Sequence, residues 1–230
     1  AGDDLAEQAD RLWKAGEYRE ADRVAQQGLA ATRSHHDTTT HASLLEWVLR
    51  SARAAFSAGR IEAAESLYTE ALDSIGPGPI TARRWEALRG LRDIALDRRD
   101  TETALSRGED SLAAGERVEG PAGSGAAADL AALASAHLLA DHMDAADSLI
   151  VGAIGRALAE TSRTVSIGTP ESVSASLCRL DSADLGALYQ EQALILLRRG
   201  RFAQAEETYR RALGLLEQDL GPNHPRITPA

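Results

Sequence analysis

Few residues in this chain could do chemistry, and their spacing argues against each obvious reaction. The run Gly120-Pro-Ala-Gly-Ser-Gly125 has the glycine spacing of a phosphate-cradling loop. Ala126 and Ala127 stand where such a loop needs lysine and then serine or threonine, and no strand precedes it. It reads as a flexible linker. His35, His36 and His41 form the densest imidazole cluster and could hold a transition metal. They lack the helical HExxH spacing of zinc hydrolases and lie in a polar stretch, so they read as solvated linker. His137 and His142 are five residues apart, about 500° around a helix, which assigns them to different faces, with His137 at a core position. Cys178 is the single cysteine. It rules out an internal disulfide and a cysteine-based metal site, and with no histidine near it in sequence it reads as a passive thiol. Glu206-Glu207 reads as polar helix surface. No catalytic residue, metal or cofactor is expected, and the chain reads as a non-enzyme.

The elements that carry these residues are helical. Of 230 residues, 44 are alanine and 30 leucine, against 9 aromatic ones. Alanine and leucine are strong helix formers, while strand formers are scarce, so the expected class is all-α. Acidic residues outnumber basic ones to give a net charge of −10, which argues against a nucleic-acid binder with a basic face. No apolar run approaches the roughly 18 residues that span a bilayer, so no membrane insertion is expected. Lys14 is the single lysine, and the dominance of arginine reads as a GC-rich bacterial coding bias. The opening residues show no charged stretch followed by an apolar one, so no signal peptide is expected here. The compartment stays open, the cytoplasm being favoured over the periplasm.

A repeat organises the whole chain. Gly16-Glu-Tyr18-Arg-Glu-Ala21 recurs as Gly59-Arg-Ile61-Glu-Ala-Ala64 and Gly200-Arg-Phe202-Ala-Gln-Ala205. Weaker copies are Arg99-Asp-Thr101-Glu-Thr-Ala104 and Asp141-His-Met143-Asp-Ala-Ala146, and the anchors are 43, 40, 42 and 59 residues apart. Small residues recur seven positions before four of the five anchors (Ala9, Ala52, Ala134, Ala193), where two helices must cross closely. Each unit therefore reads as helix, tight turn at the anchor, helix, with glycine suited to a left-handed turn residue. The predicted repeats run over 3–33, 46–76, 86–116, 128–160 and 187–217. The long spacing leaves an insert at 161–183. Within it, Thr169-Pro170-Glu171 predicts a short helix from Pro170 to Leu180.

These residues resemble the tetratricopeptide repeat, and the long spacing resembles its kinesin-light-chain-like subclass. So does the tail Leu220-Gly-Pro-Asn-His-Pro-Arg-Ile227, read as the start of an incomplete repeat over 220–230. The resemblance implies a single right-handed α-solenoid of five helix hairpins over 1–230. It also implies a peptide or partner domain bound in the concave groove of the first helices. Carried over by register, the groove positions are Asp10, Trp13, Lys14, Leu49, Arg53, Phe56, Arg89, Asp93, Leu138, Gln190, Leu194 and Arg198, with Phe56 and Arg53 at the centre. The subclass that clamps a C-terminal carboxylate uses asparagine at such positions, and Asn223 is the single asparagine of the chain. The expected function is a protein-interaction scaffold. The alternative is a regulatory or sensor segment of a larger enzyme such as a kinase or protease.

Two weak points follow from the same register. Thr101 and Gly108 stand where sister repeats carry larger side chains such as Tyr18, Ile61 and Tyr68, which predicts a soft third repeat. The last helix is expected to expose Leu213 and Leu216, and so to support weak self-association.

Overall fold

Residues 2–34, 41–120, 123–167 and 182–221 are described by the computed structural model, and among them there are ten α-helices and no strand. In chain order these are α1 (Gly2–Lys14), α2 (Tyr18–Ser34), α3 (His41–Ser57), α4 (Ile61–Ile75) and α5 (Ala82–Asp97). Then come α6 (Thr101–Glu119), α7 (Ser124–Leu139), α8 (Met143–Ile167), α9 (Ser182–Arg198) and α10 (Phe202–Leu220). Odd-numbered helices are the first, and even-numbered helices the second, of the five predicted repeats. The first helices of repeats two to five begin four or five residues before the predicted boundaries, because their opening turns lack a strong start signal. Helix α8 continues to Ile167, so the expected insert opens as an extension of a repeat helix. The predicted helix at 170–180 and Cys178 lie outside the described residues. The predicted linker at 120–125 is shorter than expected, since α7 already begins at Ser124 and the Gly125 amide donates to Glu119 Oε2 at 2.9 Å.

One backbone motif makes the turn inside four of the five repeats. The Gly16 amide donates to the Trp13 carbonyl at 3.0 Å and the Glu17 amide to the Leu12 carbonyl at 2.9 Å. This is the paired bonding of a Schellman motif, which needs a left-handed residue at its centre. The same pair recurs at Gly59 and Arg60, at Asp141 and His142, and at Gly200 and Arg201. Gly16, Gly59 and Gly200 have φ of 79°, 79° and 72°. The two positions where the sequence lacks glycine adopt the same conformation, Arg99 at 56° and Asp141 at 62°. The turn is thus imposed by packing on either side, even where the residue type disfavours it.

The helices group into two compact units, Ala1–Asp97 and Arg98–Ala230, with the boundary inside repeat three. In the first unit, hairpins α1/α2 and α3/α4 stack, with α5 against α3 and α4. Its core gathers Leu29, Trp47, Val48, Tyr68 and Ile94 around small residues such as Ala52 and Ala64. Two glycines let aromatic rings in. A Cβ on Gly28 would stand 2.2 Å from the Trp47 ring, and one on Gly90 would stand 2.1 Å from the Tyr68 ring. Buried Asp22 on α2 accepts from Arg60 Nη1 at 2.7 Å and Gln26 Nε2 at 2.8 Å, which ties the first hairpin to the turn of the second.

In the second unit, α6 packs on α7, α7 on α8, and α9 on α10, α8 and α7. Leu130, Ile150, Ile154, Leu188 and Ile195 fill its core. A fully buried polar pair, Ser111 Oγ donating to Asp129 Oδ1 at 2.8 Å, joins α6 to α7. Gly108 admits the Leu133 side chain, whose Cδ1 would stand 2.9 Å from an added Cβ, so the missing tyrosine there is replaced by a leucine from the next helix. At the register of Thr101, the sister residues Tyr18, Ile61 and Met143 are only half-buried and Phe202 is exposed. The predicted loss of a large buried side chain at Thr101 is therefore smaller than the register implied. Leu213 is exposed as expected, but Leu216 is buried against Gly186, because it faces α9.

Candidate binding surface

In the first unit, the first helices lie side by side and are joined by polar bonds. Asp10 on α1 accepts from Arg53 Nη2 at 2.8 Å and from Arg50 Nε and Nη2 at 3.2 and 3.1 Å on α3. Trp13 Nε1 donates to Ser57 Oγ at 2.8 Å. The Arg53 guanidinium also lies over the Trp13 ring, 5.0 Å from its centroid, a cation–π arrangement. Arg50 sits likewise over Trp47 at 5.2 Å, and Arg89 over Trp85 at 5.3 Å.

The charges continue onto α5. Burial raises the Glu86 carboxyl above its ordinary range; Arg53, Arg89 and Arg50 oppose the shift and Glu46 adds to it. Burial also pushes the Tyr68 hydroxyl well above the usual tyrosine range, with Glu86 and Asp93 adding and Arg53 and Arg89 opposing. Asp93 accepts from buried Arg92, from Nε at 2.9 Å and Nη2 at 2.8 Å. The surface is thus a row of alternating charge, Asp10, Arg50 with Arg53, Glu86, Arg89 and Asp93, interleaved with half-buried Trp13, Phe56 and Leu96.

The predicted site residues divide by burial. Asp10, Trp13, Arg53, Phe56, Arg89 and Asp93 all reach the surface of the first unit, and Lys14 is exposed beside them. Leu49 is 2 % exposed and packs in the core, so it offers no side chain to a partner. In the second unit, Leu138 is likewise buried at 4 %, and it receives Arg198 Nη1 on its carbonyl at 3.4 Å. Gln190 and Leu194 are half-buried and Arg198 is exposed. Sequence reasoning missed Arg50 and Glu86, which sit nine and thirteen positions before their anchors, off the rows carried over by register. Arg53 is also more than a groove-edge charge, since it holds both Asp10 and Trp13.

The second unit has features of its own. Glu191 on α9 accepts from Ser135 Oγ on α7 at 3.0 Å; burial raises its carboxyl and the Ser135 bond opposes the shift. At the α9/α10 end, Leu197, Phe202, Tyr209 and Leu213 line an open apolar pocket of about 350 Å³. His137 and His142, assigned to different faces by helical geometry, meet with Nδ1 atoms 3.3 Å apart. The helix ends between them, so the 100° step does not apply. Burial and then His142 lower the His137 imidazole below its ordinary value, and Glu109 opposes. His41 Nε2 lies 3.4 Å from Ser74 Oγ, while His35 and His36 are outside the described residues. Among the described residues, no helix is long and apolar enough to cross a membrane.

No protein-family model matches the sequence, and no curated protein matches it. Among solved structures, BtubC (BKLC) from P. vanneervenii aligns at a TM-score of 0.66 and 18% identity, over 98% of this chain and 82% of that one. A Podosopora anserina putative kinesin light chain with nearly identical TPR-like repeats aligns at 0.61 and 16% identity, over 94% of each. The fold is that of the tetratricopeptide repeat. PlcR of Bacillus thuringiensis, solved in complex with the peptide PapR7 and DNA, aligns at 0.70 and 14% identity, over 94% of this chain and 70% of that one. In this chain the tetratricopeptide turn is made by three glycines, an arginine and an aspartate, all left-handed.

Proposed function

We propose that the chain is a protein-interaction scaffold that binds an extended or helical segment of another protein along the first helices of its first unit. The observation that carries this reading is the alternating row of the first unit. There arginines are held over tryptophans and against carboxylates at a half-buried surface. Such a surface is already ordered before a partner arrives, so little side-chain entropy remains to be lost. Aromatic residues with arginine supply affinity at interfaces, and paired charges supply register and on-rate. Among tetratricopeptide-fold neighbours, PlcR was solved with a bound peptide, which agrees with this class of function. The centre of the site is Phe56 with Arg53, flanked by Trp13 and Arg89.

The test uses a displayed library of peptides selected on the intact chain, with affinities measured by fluorescence anisotropy. Arg53→Met keeps a stem over Trp13 and removes the charge. It is expected to weaken a selected peptide by about tenfold, roughly 1.4 kcal/mol, with melting checked in parallel. Unchanged affinity in the folded variant, and again in Phe56→Ala, would place binding away from this surface.

A further inference from the structure

The Schellman motif brings together the side chains of the residues at its two ends, the third-last helical residue and the second residue past the cap. In three repeats those pairs are Leu12 with Glu17, Ala55 with Arg60, and Leu196 with Arg201. Each combines an apolar residue with a charged one. In the fourth repeat both ends are histidine. The His142 amide donates to the His137 carbonyl at 2.9 Å and the Asp141 amide to the Leu138 carbonyl at 3.3 Å, with Asp141 at φ 62°. The two imidazoles are therefore held beside each other by the backbone of the turn, with ring centroids 5.5 Å apart and planes tilted at 46°.

Both rings aim Nδ1 inward, and the two atoms are 3.3 Å apart. That is the long end for a hydrogen bond. Two imidazole nitrogens bound at about 2.0–2.1 Å to one tetrahedral ion stand about 3.3 Å apart. We propose that His137 and His142 form a two-point chelate for a divalent transition ion of the zinc class, bound through both Nδ1 atoms. Each ring then carries its proton on Nε2. His142 is exposed, which gives the ion a path from solvent. Among the described residues no group of three or more metal-ligating side chains forms. The remaining positions of the ion are thus left to water or to a donor from a bound partner. Bound ion would clamp the α7–α8 turn and hold Asp141 in its left-handed conformation.

The experiment labels histidine with ¹⁵N in the full chain and titrates zinc chloride at pH 7.5, following the two-bond ¹H–¹⁵N spectrum. The expected result is that the Nδ1 resonances of His137 and His142 move together and saturate at one ion per chain. His142→Gln should weaken this binding by about tenfold or more, while His35→Gln, His36→Gln, His41→Gln and His224→Gln combined should leave it in place. Unmoved Nδ1 resonances at His137 and His142 would overturn the proposal. So would zinc uptake that vanishes in the fourfold variant. The wild-type spectrum decides the matter by itself if His142→Gln fails to fold.

Discussion

Replacing the left-handed residue of each turn separates backbone strain from every other contribution to the repeat. Arg99 adopts φ 56° and Gly59 adopts φ 79° in equivalent turns. A residue with a Cβ in the left-handed region costs roughly 1–2 kcal/mol. Glycine there loses more chain entropy on folding, about 0.5–1 kcal/mol. Arg99→Gly should therefore stabilise by a net of about 0.5–1 kcal/mol, and for a chain of this size that raises Tm by about 1–4 °C. Gly59→Ala should do the reverse, by about 1 kcal/mol. An added Cβ at Gly59 meets nothing within 4 Å, so that loss is torsional and not steric. Asp141→Gly should gain less than Arg99→Gly, because aspartate tolerates this region better than arginine. Calorimetry and urea denaturation measure all three. If Arg99→Gly destabilises as much as Gly59→Ala, the turn is not what sets these energies, and the reasoning fails.

Gly28→Ala and Gly90→Ala should each destabilise by about 1–3 kcal/mol, since a Cβ would press on the Trp47 or the Tyr68 ring; urea denaturation with tryptophan fluorescence tests this, and neutral variants would show that the rings yield freely. Glu191 has a raised folded-state pKa, so its contribution to stability is greatest below its unfolded value and is lost as pH rises through the folded one. Glu191→Gln should therefore gain in Tm over the wild type between about pH 4 and 7, and a pH-independent difference would contradict the assignment. The exposed Leu197, Phe202, Tyr209 and Leu213 patch should support weak self-association, which Leu213→Glu should abolish in sedimentation velocity at high concentration; a wild-type chain that stays monomeric at every concentration refutes it.

The repeat was legible because it is written in residue size. An alanine at Ala21, Ala64, Ala104, Ala146 and Ala205 marks where helices cross, and all five are buried at 0–2 % exposure. Anchor position, hairpin order and the number of repeat helices follow from that row. Helix starts were less legible, because the residues that precede α4 and α10, Arg60 and Arg201, give no side-chain cap, whereas Asp100 before α6 accepts from the Thr103 amide. The preceding Schellman turn launches those helices, and its signal is a single left-handed residue. Where that residue is Arg99 or Asp141, residue type alone gives no sign of it.

The surface was legible only in part, for a reason that applies to any carry-over by register. A register position states where a Cα lies on its helix, while exposure depends on what the neighbouring helix brings to the same place. Leu49 and Arg50 are adjacent on α3, yet the first is in the core and the second holds Asp10. A row defined by one offset from the anchor therefore mixes core and surface: ten before it gives buried Leu49 in one repeat and half-buried Arg89 in the next. The His137–His142 contact was missed by the same kind of step, since a rotation per residue was carried across a helix end. The Schellman turn replaces that rotation with its own geometry, and the turn was predictable from the anchor alignment. At the four anchors where both bonds form, the same geometry pairs Glu17, Arg60, His142 and Arg201 with a residue of the preceding helix. Among these turns, only that of the fourth repeat joins two imidazoles.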